Sequence, residues 1–148
     1  MGERSRRQRE NTSWCPPTEG TVKINVDAAI YGDDGASLGV VIRNHTGGVI
    51  RVGVRLVRSK WNVVIAEAKA MVFGLQLASQ CNSSSIINES DCLEVIKKMK
   101  ERDLGCSQLG MILREVDKLA SLFNNGLFSH VFRETNEAAH TMARIQPL

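Results

Sequence analysis

Three segments near the amino end of the chain alternate apolar and polar residues and follow one another after short breaks. In the first, Val22–Ala28, every second side chain is apolar, which is the pattern of a strand that buries one face. The second, Leu38–His45, and the third, Val49–Val57, enclose a Thr-Gly-Gly sequence at positions 46–48 that suits a hairpin turn. The chain therefore predicts three consecutive antiparallel strands.

After these strands the pattern changes to helices alternating with strands. Ala, Glu, Met, Leu and Gln dominate Val64–Ser79, and apolar residues recur there at helical spacing. The later segments predict a strand, two helices, a strand and a short helix capped by Asn136, namely Ser85–Ser90, Cys92 to about Lys100, Gln108–Phe123, Leu127–Arg133 and Asn136–Arg144. Three antiparallel strands followed by two βα units predict an α/β or α+β domain, a five-stranded mixed sheet with helices on both faces.

The length of 148 residues fits one domain, and 43% hydrophobic residues suffice for a sizeable core. Residues 1–13 carry four arginines and almost no apolar residue, so we expect a flexible basic tail before a single domain at 14–148. The four cysteines form no CxxC pair and show no zinc-type spacing, which favours a reducing compartment.

The sequence also lacks the marks of a membrane or secreted protein. No apolar run approaches the roughly 20 residues that span a bilayer, and the start has no apolar stretch of the secretory type. We expect a soluble intracellular protein of the nucleus or cytoplasm, with no membrane contact and no obligate protein partner evident. The net charge of +3 is too small to identify a polyanion partner by itself.

Three acidic residues stand where acids need compensation. Asp27 lies in an apolar strand, Glu67 shares a helical stripe with small and apolar residues, and Asp91 follows the fourth predicted strand. Each also has a structural interpretation: a strand-end Asp that accepts backbone N–H bonds, a first-turn helix Glu, and an N-cap with Glu94 at N3. If the first and fourth strands are neighbours, the three acids converge, and such a cluster favours Mg²⁺ or Mn²⁺.

Four motifs carry a family resemblance. KINVDAA around Asp27, IAEAKAMVFGLQLA around Glu67, INESDC around Asp91 and the terminal RETNEAAHTMARI resemble the ribonuclease H-like superfamily, in particular the plant reverse transcriptase-like ribonuclease H domains. The lead-in WCPPTEG and the hairpin RNHTGGVI fit the same subfamily, so the resemblance extends from about Trp14 to the C-terminus.

The resemblance implies a ribonuclease H-like fold and a nuclease that hydrolyses the RNA strand of an RNA/DNA hybrid with two Mg²⁺ ions. It implies that Asp27 bridges both ions, that Glu67 and Asp91 hold the ion at the leaving 3′ oxygen, and that the other ion activates water. His140 stands where the family places a fourth carboxylate. It is expected either to ligate that second ion weakly, with a preference for Mn²⁺, or to make no metal contact.

The residues expected to recognise nucleic acid differ from the family pattern before Glu67, whereas a basic stretch elsewhere supports nucleic-acid binding. Where cellular ribonucleases H carry adjacent Asn residues, this chain has Val63 and Val64, and only Asn62 remains nearby. Six basic residues stand against the single acid Glu67 between positions 43 and 69. The candidate nucleic-acid contacts are Asn62, Arg51, Arg55 and Lys60. The alternative for Arg51 and Arg55 is a charged edge strand that resists pairing.

Two functions remain open from the sequence. The first is an endoribonuclease with catalytic and metal-binding residues Asp27, Glu67, Asp91 and His140. The second is a nucleic-acid-binding domain of this fold whose catalysis is weakened or lost, and His140 and the paired valines favour this alternative. The sequence does not separate such a domain from a retroelement-derived remnant.

Overall fold

The computed structural model describes residues 13–145, and the predicted tail lies outside this part of the chain except for Ser13. Five strands form one sheet in the spatial order β3-β2-β1-β4-β5. Their bounds are β1 Thr21–Ile30, β2 Ala36–Arg43, β3 Val49–Val57, β4 Ser85–Ser90 and β5 Asn125–His130. The first three pair antiparallel, and β4 and β5 run parallel to β1. The predicted mixed sheet is confirmed, and β1 and β4 are neighbours.

Within residues 13–145, a short 3-10 helix at Gly32–Asp34 and four α-helices accompany the sheet: α1 Val63–Ala78, α2 Leu93–Glu101, α3 Gln108–Ala120 and α4 Glu137–Ala143. Asn62 caps α1, since its side chain accepts a 2.9 Å hydrogen bond from the backbone N–H of Ile65. Ser107 caps α3 in the same way through the N–H of Gly110.

Helices cover both faces of the sheet, as predicted, and two glycines permit the close approach. On one face, a Cβ at Gly74 of α1 would lie 2.8 Å or less from side-chain carbons of Val26 and Ile24. On the other face, a Cβ at Gly39 of β2 would lie 2.4 Å from the backbone nitrogen of Ala143 in α4. Gly39 is paired directly with Asp27, so this glycine seats α4 beside the first acidic residue.

The last strand begins and ends earlier than the sequence predicts. The sequence LFSHVFR predicts a strand over Leu127–Arg133, but the pairing with β4 runs from Asn125 to His130 and stops where β4 stops. A parallel strand needs its neighbour for hydrogen bonds, so the chain leaves the sheet after the N–H of Val131 has donated to the backbone oxygen of Ser90 at 3.0 Å, although Val131 and Phe132 are both apolar.

Two further expectations can be compared with the structure. All four cysteines are free thiols. Within residues 13–145, no helix combines the length and apolar character needed to cross a membrane.

Candidate metal and nucleic-acid site

The site lies where two parallel strands diverge. β1 and β4 pair only as far as Asn25 and Glu89, although β1 continues to Ile30. A crevice therefore opens at the carboxyl ends of the two strands, the usual position of a ligand site in sheets of this kind. Asp27 and Asp91 each follow the last paired residue of their strand by two positions, which brings both carboxylates to this crevice.

Glu67 enters the crevice from α1. It lies beyond the first turn of the helix and is only 4% exposed, which excludes a solvated first-turn glutamate stabilised by the helix dipole. Its Oε1 accepts a 3.3 Å hydrogen bond from the backbone N–H of Ala28, whereas its buried Oε2 has no hydrogen-bond partner among residues 13–145. A buried carboxylate oxygen without a donor is costly unless a cation approaches it.

Asp91 does not cap α2, and this corrects the structural alternative. Cys92 holds the N-cap position without a side-chain capping bond, and the N–H of Cys92 instead donates to Oγ of Ser90 at 3.1 Å. The half-buried carboxylate of Asp91 is therefore directed to the crevice, which it lines together with Asp27 and Glu67.

The three carboxylates are close enough to share one cation, since one oxygen of each lies within 4.8 Å of the others. Burial, followed by the charge of Asp27, raises the pKa of Glu67 from 4.5 to about 10. Burial and the charge of Asp27 also raise the pKa of Asp91, while His140 and Arg133 oppose that rise. Burial is the main cause of both shifts, and the charge of Asp27 adds to each of them. An all-oxygen donor set suits Mg²⁺ or Mn²⁺, and such a cation would be the missing partner of Oε2 of Glu67. The residues therefore fit one such cation.

His140 lies beside Asp27, but basic side chains share its position. Its Nδ1 is 2.9 Å from Oδ2 of Asp27, and its Nε2 is 2.8 Å from Nη2 of Arg133. An ionised carboxylate only accepts and a guanidinium only donates, so the tautomer that satisfies both contacts carries its proton on Nδ1. Arg144 donates from Nη1 to the same Oδ2 of Asp27 at 2.8 Å.

The residues around His140 therefore fit a second cation poorly. Oδ2 of Asp27 already accepts two hydrogen bonds, and both ring nitrogens of His140 are engaged. Asp27 does not accept backbone N–H bonds from the following turn, contrary to its structural alternative; cationic and imidazole side chains compensate it instead.

A buried amide network fixes α4 over β1. The side chain of Asn136 donates to the backbone oxygen of Val26 at 2.8 Å. Its Oδ1 accepts from Nδ2 of Asn25 at 3.0 Å, and the same Nδ2 donates to Oε1 of Glu89 at 3.1 Å. The predicted capping role of Asn136 is wrong in its contacts: the residue occupies the N-cap position but makes no side-chain capping bond. Its amide instead binds the strand that carries Asp27.

The structure places the predicted nucleic-acid residues in different surroundings. Arg51 and Arg55 extend from β3 over α1, where they donate to Gln80 and Gln76, and they do not line the crevice. Lys60 is exposed and pairs with Asp33 at 3.3 Å.

The residues that begin α1 lie closer to the acids. Asn62 caps the helix and is followed directly by Val63, which lines the crevice and is 58% exposed. Val64 packs against the core. Only the first of the two valines is therefore available to a ligand in the crevice.

Sequence reasoning missed several residues of the site. Arg144 follows His140 by four positions, a spacing that places both on one helix face and could have identified it. Asn25 precedes Asp27 by two positions and so shares its strand face. Arg133 and Glu89 carry no comparable signal, because their proximity depends on the end of β5 and on the β1–β4 register.

Comparison with known proteins agrees with this arrangement. The family model described as reverse transcriptase-like matches residues 25–145. A comparison with curated proteins gives no significant match.

Solved structures share the fold. Ribonuclease H1 from the halophilic archaeon Halobacterium salinarum is 24% identical with a TM-score of 0.75, over 83% of this chain and 94% of that one. The N-terminal ribonuclease H domain of rv2228c from Mycobacterium tuberculosis is 21% identical with a TM-score of 0.75, over 83% and 90%. LC11-RNase H1, solved in complex with an RNA/DNA hybrid, is 17% identical with a TM-score of 0.73, over 82% and 92%. The chain therefore belongs to the reverse transcriptase-like family and has the ribonuclease H-like fold.

Proposed function

We propose that the protein is a divalent-cation-dependent endoribonuclease that cleaves the RNA strand of an RNA/DNA hybrid. The observation that carries this proposal is the cluster of Asp27, Glu67 and Asp91, whose ligand oxygens lie within 4.8 Å of one another in a crevice at the strand ends. Three structural elements supply these carboxylates. Their convergence costs stability without a cation, which supports a site kept for function.

Asp27, Glu67 and Asp91 would hold a Mg²⁺ or Mn²⁺ ion. When bound, the ion supplies Lewis-acid stabilisation of the negative charge that develops on phosphate oxygens. Around it, Glu67 fixes the end of β1 through the N–H of Ala28, and Asn136 holds α4 in place. Arg133 and Arg144 line the same crevice and offer guanidinium groups to a phosphodiester.

The reaction is hydrolysis. The oxygen of a water molecule bonds to phosphorus, and the bond between phosphorus and the 3′ oxygen breaks. One water proton passes to the leaving 3′ oxygen and the other hydrogen stays on the phosphate or passes to solvent. The products carry a 3′ hydroxyl and a 5′ phosphate.

A hybrid substrate is supported by the fold and by the complex of LC11-RNase H1 with such a hybrid. Exposed Val63 at the crevice offers an apolar contact in place of an amide, so we expect weaker discrimination among nucleic acids than an amide would give. Lys60 lies nearby in sequence, and its exposed pair with Asp33 costs little to break, which leaves it available to a phosphate.

The direct test is cleavage of a hybrid whose RNA strand is labelled, with Mg²⁺ and with Mn²⁺. We expect cleavage of the RNA strand by the wild type and a loss of activity of about 100-fold or more in Asp27→Asn. Removing a direct metal ligand should lower activity at least as much as removing a residue that only supports a ligand. Asp103→Asn, at an exposed carboxylate near Lys98, is the matched control and should cleave normally. No cleavage with either ion, or full cleavage by Asp27→Asn, would refute the proposal.

A second candidate is a domain that binds nucleic acid without turnover. The observation that favours it is the engagement of Oδ2 of Asp27 by Arg144 and His140, which leaves fewer oxygens for cations. Hybrid binding in the presence of Mn²⁺ without any product would support this candidate over the nuclease.

A further inference from the structure

Arg144 lies against Asp27 beside His140, the residue that stands where the family resemblance places a fourth metal ligand. Its Nη1 donates to Oδ2 of Asp27 at 2.8 Å and to the backbone oxygen of His140 at 2.9 Å. The second contact fixes the guanidinium at the C-terminal end of α4. A cation on this side of Asp27 would therefore have to displace a charged group that two oxygens already hold.

A second guanidinium faces the same side of the crevice. Nη2 of Arg133 lies 2.8 Å from Nε2 of His140, and Arg133 lines the crevice with Asp27 and Asp91. The imidazole is thus enclosed between an acid and an arginine.

The charges of the crevice favour one divalent cation over two. Three carboxylates face two guanidinium groups, and His140 adds no negative charge. With all three acids ionised, the excess is one negative charge, which one divalent cation already more than offsets. A second cation would find no further carboxylate among the described residues that line the crevice and would lie beside two positive side chains, which electrostatic repulsion disfavours.

We propose that this site binds a single divalent cation and that Arg144, assisted by Arg133, takes the place of the second. This inference rests on the proposed function, because it assigns Arg144 to the phosphodiester that the cation also binds. The Arg144 side chain lines the crevice and is 38% exposed, and its contacts with Asp27 and His140 both use Nη1, so Nε and Nη2 can donate to a ligand. A guanidinium matches the oxygens of a phosphate well.

Arg144→Ala separates this role from a structural one, because the affinity for the cation should rise while the affinity for the nucleic acid should fall. Titration calorimetry with Mn²⁺ should show one site in the wild type and one tighter site in Arg144→Ala, by about five- to tenfold, since a competing positive charge is gone. The affinity for an RNA/DNA hybrid, measured with Ca²⁺, should fall by a similar factor. Arg144→Lys should restore much of both values, and Arg102→Ala, at an exposed arginine paired with Asp117, should change neither.

A second variant tests the exclusion of the other cation. His140→Asp combined with Arg144→Ala supplies a fourth carboxylate and removes the guanidinium, so it should bind two Mn²⁺ per chain. Thermal unfolding checks that every variant is folded. Two sites in the wild type, one site in the double variant, or a parallel loss of Mn²⁺ and hybrid affinity in Arg144→Ala would each overturn the inference. One Mn²⁺ site with the expected response of Arg144→Ala but no cleavage would uphold the inference and refute the nuclease proposal instead.

Discussion

Replacing Glu67 by glutamine should stabilise the metal-free protein at neutral pH. Glu67 is 4% exposed, one of its oxygens has no hydrogen-bond partner in the part of the chain that the structure describes, and burial with the charge of Asp27 raises its pKa from 4.5 to about 10. In the unfolded chain the group should ionise near its ordinary pKa. Its contribution to stability is therefore fully present below about pH 4.5 and is lost as the pH rises from there towards about 10.

The size of this effect follows from the interval between the two pKa values. While Glu67 stays protonated in the folded state, each pH unit above its unfolded pKa costs about 1.4 kcal/mol of unfolding free energy. The wild type at neutral pH should therefore lose on the order of 3 kcal/mol relative to mildly acidic solution. Glutamine does not titrate, so Glu67→Gln should lack this loss.

Urea unfolding with EDTA, from about pH 5 to about pH 8, measures the difference for the wild type and Glu67→Gln. Glu115→Gln, at an exposed glutamate, is the control and should follow the wild type. Added Mn²⁺ should stabilise the wild type more than Glu67→Gln, because the variant lacks one ligand. If the wild type and Glu67→Gln show the same pH dependence in EDTA, the carboxyl group is ionised without metal and the reasoning is wrong.

Three further predictions concern the surroundings of the site. Gly39→Ala should destabilise the protein by about 1–3 kcal/mol and lower hybrid cleavage, because its Cβ would meet the backbone of α4; Gly48→Ala, with no contact below 3.3 Å, should cost less, and equal losses in urea unfolding would contradict this. Asn136→Ala should cost about 1–3 kcal/mol in the same assay by removing buried hydrogen bonds, and an unchanged midpoint would count against the network. If Arg51 and Arg55 contact phosphates, replacing both by serine should lower the affinity for a hybrid. The slope of log affinity against log salt concentration should then become shallower by the amount expected for about two lost phosphate contacts. An unchanged slope would favour the interpretation that these arginines protect an edge strand from pairing.

The sequence predicted the sheet well because the signals are local. Alternation in β1, β2 and β3 and the glycine turn between the latter two determine a hairpin without reference to the rest of the chain. β5 was predicted too far along the chain because its pairing depends on β4, and the residue types at positions 127–133 do not report where that partner ends.

The acids of the site could be predicted because each conflicts with its local pattern. Asp27 interrupts an apolar strand, and Glu67 faces the sheet from a helix. Asp91 was ambiguous, since its spacing to Glu94 suits a capping box, and the actual start of α2 at Leu93 with Cys92 as N-cap resolves it. The sequence therefore identified the three acids but could not decide whether each has a purely structural role or lies at the site.

The basic side of the site could not be predicted in the same way. Arg144 and Asp27 are 117 positions apart in the sequence, and only the packing of α4 on β1 brings them into contact. Arg133 reaches His140 because the chain leaves β5 just before it. Tertiary contacts of this kind have no periodic signature in one sequence.

The most direct test of the nuclease proposal identifies the ends that the protein produces on a labelled RNA/DNA hybrid. With Mg²⁺ or Mn²⁺, the wild type should release RNA fragments that carry 3′ hydroxyl and 5′ phosphate ends, leave the DNA strand intact, and lose this activity in Asp27→Asn but not in Asp103→Asn. An intact RNA strand with both ions, or the same products from Asp27→Asn, would contradict the assignment of this crevice as the site of hydrolysis.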